Sequence, residues 1–190
     1  MTLCTAFDGH TMIAAGALPQ VAAAAKAAYD AGRTALIFRD EDARPIDLDL
    51  RGDLPDVLAR LPQEQAQTEP EKRGPGRPRL GVTAREVTLL PRHWDWLASQ
   101  PGGASVALRK LVEAALREAE GPDRMRRSRE AAYRFMTAVA GDLPDYEEAV
   151  RMLFAGDWTA FDARTETWPV DVRDYARRLA EPGWRNGQGR

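Results

Sequence analysis

From Pro62 to Leu80 the chain reads PQEQAQTEPEKRGPGRPRL, and apart from its prolines only Ala66 and Leu80 are apolar. Such a run cannot bury enough surface to offset the entropy lost on ordering, so it is a linker. It divides the 190 residues into an N-terminal piece of about 60 residues and a longer C-terminal piece. A hydrophobic fraction of 44% leaves each side apolar residues for a core. The net charge of −2 conceals a segregated distribution. Residues 72–92 carry Lys72, Arg73, Arg77, Arg79, Arg85 and Arg92 against Glu86 alone. A basic stripe on an otherwise acidic chain points to local anion binding. The alternative is a solvated charged linker.

Several function classes lack the residues they need. Cys4 is the single cysteine, which excludes an internal disulfide framework and any multi-cysteine zinc site and fits a reducing cytoplasm. His10 and His93 are the only imidazoles, and no HExxH, GxSxG or P-loop pattern occurs. Gly74, Gly76 and Gly81 do not form a dinucleotide fingerprint, because no strand precedes them and two prolines interrupt the turn. Cys4 has no orienting third group for a nucleophilic pair with a distant histidine. The expectation is a non-enzymatic protein with no cofactor and no metal. The Ala-rich run from Ala22 to Ala28 follows Pro19, contains Lys26 and lacks a basic leader, so neither a targeting segment nor a membrane span is expected. A cytoplasmic location follows as an expectation.

The fold class expected is α+β. Residues 3–7 and 11–15 read as a hairpin around Asp8-Gly9, and Pro19 opens a helix ended by Gly32. Strands follow at 34–39 and 45–50, the second with Ile46, Leu48 and Leu50 inward and Asp47 and Asp49 outward. Asp53 caps a short helix over 54–61. The outward aspartates are a solvated strand face rather than metal ligands. This ββαββα unit, residues 1–61, is small enough to need support from the rest of the chain or from a second copy.

After the linker (62–81), residues 85–90 read as a strand and Pro91 as a first helical residue, with Trp94, Leu97 and Ala98 on one face. Pro101-Gly102-Gly103 breaks that helix. Ser105 caps the next, whose stripe is Leu108, Leu111, Val112, Ala115 and Leu116. Gly121-Pro122 is expected to end it, closing a module over 82–120. A helical region over 122–180 follows, in four helices opened at Asp123, Asp142, Asp157 and Pro169. Arg124, Arg126, Arg127, Arg129 and Arg134 on the first of these make a second basic patch, either a nucleic-acid surface or a solvated face. Residues 181–190 read as a frayed tail.

Two resemblances become specific here. Gly76-Arg77-Pro78-Arg79 resembles the Gly-Arg-Pro core of AT-hook peptides, although Pro75 stands where the hook has arginine. Strand, Leu-Pro, helix, Gly, Ser and Val-Ala-Leu-Arg-Lys-Leu-Val resemble the ribbon-helix-helix family of Arc and MetJ. That resemblance implies a homodimer whose paired strands enter the major groove of double-stranded DNA, with the second helix's N-terminus on phosphate. It implies Arg85 and Thr88 near bases, Ser105 at phosphate with Arg109 and Lys110 beside it, and an arm of Arg73, Arg77 and Arg79 in the minor groove. The strand departs from the family's alternation, since Leu90 follows Leu89 directly, which leaves its register open. The function implied is a transcriptional regulator. The alternative is a protein-interaction or dimerisation module, antitoxin-like or a scaffold, that leaves DNA alone. The whole chain, through LDLRG at residues 48–52 and REVTLLPRHWDWL at 85–97, also resembles an uncharacterised bacterial family, domain of unknown function family 2239.

Overall fold

The computed structural model describes residues 2–62, 83 and 85–184, and for Gly183 and Trp184 the backbone only. It is mixed α+β. Four strands, β1 (Leu3–Asp8), β2 (Thr11–Ala17), β3 (Ala35–Arg39) and β4 (Pro45–Ile46), form one sheet in the order β2-β1-β3-β4, antiparallel throughout. The described helices are α1 (Leu18–Asp30), α2 (Leu54–Arg60), α3 (Pro91–Ser99), α4 (Gly103–Val139), α5 (Tyr146–Ala155), α6 (Trp158–Thr165) and α7 (Val170–Trp184). They divide into two compact units, residues 1–64 with 121–190, and residues 65–120.

In the first unit the sheet is covered on both faces. Strand alternation sends Cys4 and Ala6 of β1 and Ile37 of β3 to one side, where they meet Val21 and Ala25 of α1. Phe7 and Phe38 go to the other side, against Phe135 of α4 and Tyr175 of α7. Phe135 lies 5.0 Å from Phe7, 5.3 Å from Phe38 and 4.6 Å from Tyr175, ring centre to ring centre, in tilted and edge-on geometries. The N-terminal strands and the C-terminal helices, which the sequence describes as separate segments, therefore share one hydrophobic core. The sixty-residue unit finds its support within the same chain.

Most local signals act where they stand. Pro19 lies in the first turn of α1, and Gly32 follows it at φ +73°, a left-handed conformation that a side chain would strain. Asp53 caps α2 through a reciprocal capping box with Asp56, 3.1 and 3.3 Å. Asp157 caps α6 by accepting from the Ala160 amide at 2.9 Å. Val172, Tyr175, Ala176 and Leu179 of α7 are all buried.

Four expectations need correction. The strand at 45–50 pairs only at Pro45–Ile46. Beyond it Leu48 and Leu50 still pack inward, but Asp49 turns to Arg51 and Arg60, and those pairs replace ladder bonds. Gly121-Pro122 does not end a helix: α4 continues through Pro122 to Val139, so Asp123 caps nothing. Proline removes one i→i−4 bond there, and the buried residues Ala132, Phe135, Met136 and Val139 hold the following turns. The helix expected from Asp142 starts at Tyr146, because Asp145 is left-handed at φ +59° and interrupts the helical path. Finally, residues 85–90 form no strand in the single chain, since no described segment offers them a ladder. The linker arm with Arg73, Arg77 and Arg79 lies outside the described residues; of the tail expected at 181–190, residues 181–184 continue α7, and 185–190 lie outside the described residues.

Candidate functional site

In the second unit, α3 opens at Pro91, which needs no amide partner in a first turn. Gly102, at φ +86°, turns the chain into α4 where a Cβ would fall 3.1 Å from Val106. A helix on each side of the Gly102 turn was expected, but α4 starts at Gly103, so Ser105 lies within its first turn and does not cap it, and both helices bury little. Leu97 and Ala107 are buried, and Leu108 is partly covered. Val87, Leu90, Trp94, Leu111, Val112 and Leu116 remain exposed, from 39% for Trp94 to 64% for Leu116. The helical stripe exists as a pattern, but among the described residues nothing covers it. Covering each half-exposed side chain would contribute about 1 kcal/mol.

Arg85, Arg109 and Lys110 form no ion pair with a described residue. Arg85, Thr88, Ser105, Arg109 and Lys110 are all exposed or half-buried at the surface. Arg109 donates through Nε to the Ser105 carbonyl at 3.1 Å, which places its guanidinium over the first turn of α4, and no described carboxylate forms an ion pair with it. The expected base-facing and phosphate-facing residues are thereby all accessible.

The second basic patch is less uniform than its sequence. Arg126 pairs with Asp123 at 3.0 Å, and Arg129 lies against Gly156, just past α5. Arg134 donates to the main-chain carbonyl of Asp42. Arg124, Arg127 and Arg134 face a cavity in the first unit. The arginines of this stretch therefore serve different neighbours.

Several titratable groups of the first unit are engaged in its packing. Asp40 accepts from Thr5 Oγ1 at 2.7 Å and from the Tyr175 hydroxyl at 3.0 Å. Burial first, and then the Asp40 carboxylate, holds the Tyr175 hydroxyl well above the usual phenol range. Burial likewise raises Cys4, which keeps it a thiol and chemically quiet. Asp49, one of the two outward aspartates, is held well below the usual carboxylate range, chiefly by its hydrogen bond from Arg51. Among the described residues no group of His, Cys, Asp and Glu is placed to hold a metal ion, and no helix is long and apolar enough to cross a membrane. Sequence reasoning missed the Asp40–Thr5–Tyr175 network. Its partners come from three distant segments, and no spacing joins them.

These features define an α+β protein with one well-covered unit and a second unit whose apolar and basic faces are both open. The chain belongs to the family described as "Uncharacterized protein conserved in bacteria (DUF2239)", whose pattern matches residues 3–180. No curated protein and no solved structure matches it.

Proposed function

We propose that the chain is a cytosolic, homodimeric DNA-binding protein that regulates transcription. The carrying observation is the uncovered stripe of Leu111, Val112 and Leu116, with Trp94, Val87 and Leu90, beside an 85–90 segment that has no ladder partner among the described residues. A second copy supplies both missing surfaces at once: its own 85–90 segment completes an antiparallel ribbon, and its stripe covers the first. That is the arrangement the resemblance to the ribbon-helix-helix family implies. Arg85 and Thr88 then approach base edges, and the first turn of α4 at Ser105 receives a phosphate with Arg109 and Lys110 alongside. The arm carries Arg73, Arg77 and Arg79 into the adjacent minor groove.

Fluorescence anisotropy with random duplex DNA across a salt series tests this reading. Arg77→Ala with Arg79→Ala is expected to weaken binding on all sequences and to reduce the log–log salt slope by about 0.9 for each phosphate no longer neutralised. An unchanged slope would show that the arm does not touch DNA. The same uncovered stripe also supports a dimerisation or scaffold module without DNA affinity. Absence of any salt-sensitive binding by the wild-type chain would favour that second reading.

A further inference from the structure

The first unit holds a cavity of about 700 Å³ bounded by the turn after β3, by α4 residues 124–134 and by the end of α7. Sites of about 300–1,000 Å³ are the size that takes a small organic ligand. Five arginines line it, Arg44, Arg124, Arg127, Arg134 and Arg178, against four carboxylates, Asp40, Glu41, Asp42 and Glu130.

The carboxylates and the arginines are engaged to different degrees. Asp42 is committed to Arg39, which lies outside the lining, by bonds from Nε at 2.8 Å and from Nη2 at 2.5 Å, and Arg44 approaches it at 3.3 Å. Asp40 is committed to Thr5 and Tyr175, and Arg178 reaches it only at 3.9 Å. Glu41 and Glu130 stand exposed. By contrast, Arg127 donates only its Nε, to the Asp123 carbonyl at 3.2 Å, and Arg134 donates to the Asp42 carbonyl. Neither forms an ion pair with a described residue. Arg178 lies over the Tyr175 ring, 4.6 Å from its centre, and its Nη2 donates to Thr5 Oγ1 at 3.4 Å. Guanidinium groups match the fork geometry of phosphate oxygens, and three of them held by a carbonyl or a ring, Arg127, Arg134 and Arg178, line this one cavity. Leu179 and Pro182 add an apolar wall that a bare solvated ion would not use.

We propose that this cavity binds a small phosphate-bearing molecule, with Arg127, Arg134 and Arg178 as its phosphate contacts. All of these residues belong to the first unit, so the proposal stands whether or not residues 82–120 bind DNA.

Isothermal titration of the full chain with pyrophosphate and with inorganic phosphate, in low-salt chloride buffer, tests it. One saturable site per chain is expected for pyrophosphate. Arg127→Gln should weaken it about tenfold or more, as removal of a charge-assisted hydrogen bond implies. Arg127 bonds only within its own helix, so this variant is expected to fold, with circular dichroism as the check. Arg126→Gln, which removes a surface pair with Asp123, should leave affinity unchanged. No saturation by either probe would overturn the proposal. So would equal weakening by the two variants, which would mark diffuse attraction. A short duplex that displaces pyrophosphate and loses affinity in Arg127→Gln would assign these arginines to nucleic acid instead.

Discussion

The two halves of α4 carry the same helical period and meet different fates. In the C-terminal half, Ala132, Phe135, Met136 and Val139 are at most 7% exposed. In the N-terminal half, Leu111, Val112 and Leu116 are 48%, 55% and 64% exposed. Periodicity marks a face that needs covering, but says nothing of what covers it. For the C-terminal half the cover is the sheet, through Phe7 and Phe38, together with α5 to α7. For the N-terminal half, the single chain contains no such layer among its described residues.

The largest expected effect tests the covered half. Phe135→Ala removes the ring at the centre of the Phe7, Phe38 and Tyr175 cluster, and should destabilise the first unit by about 3–5 kcal/mol. Urea denaturation followed by tryptophan fluorescence and circular dichroism reads the change. A difference below about 1 kcal/mol would mean that the two segments do not share this core in solution.

The open half should respond in the opposite manner. Leu111→Asp with Leu116→Asp leaves the stability of the isolated chain nearly unchanged, since both positions already face solvent. In the proposed dimer it places unpaired carboxylates in a dry interface. Sedimentation equilibrium should show the dimer dissociation constant rising at least about a hundredfold. A dimer that survives the double substitution would move the interface to another face.

Legibility in the sequence followed the same division. The β1–β2 hairpin, the Pro19 start of α1, the Asp53 and Asp157 caps and the α7 stripe were readable because each signal acts within one turn or one strand. The Pro122 boundary misled for the same reason. A local breaker was outweighed by the burial of Phe135 and Met136 several turns later, and tertiary contact is not written at the proline. β4 shortened because Asp49 found Arg51 and Arg60, an interaction no alternation pattern contains. At 85–90 the composition indicates a strand, but a strand also needs a neighbour, and β-branched residues do not name one. The site residues divide similarly. Arg109 and Lys110 lie on a helix whose stripe the sequence shows, Arg85 and Thr88 lie in a segment that forms no strand, and the cavity arginines came together only through the chain's return over the sheet.

The smallest expected effect asks whether the covered unit also owes stability to its surface pairs. The hydrogen bond from Arg39, aided by the backbone bond from Arg44, holds the Asp42 carboxyl below its ordinary value of 3.8. A carboxylate lowered in the folded state contributes stability above its unfolded pKa and loses it as pH falls through the folded one. Asp42 is partly exposed, so solvent screening keeps its share small. Between about pH 6 and about pH 3, the urea midpoint of the wild-type chain should therefore fall more than that of Asp42→Asn, which has no proton to take up. Parallel curves for the two proteins would show that the Arg39–Asp42 pair is geometry without energetic consequence. In that case apolar burial, not this pair, carries the stability, and the contrast with the open half of α4 is one of apolar cover.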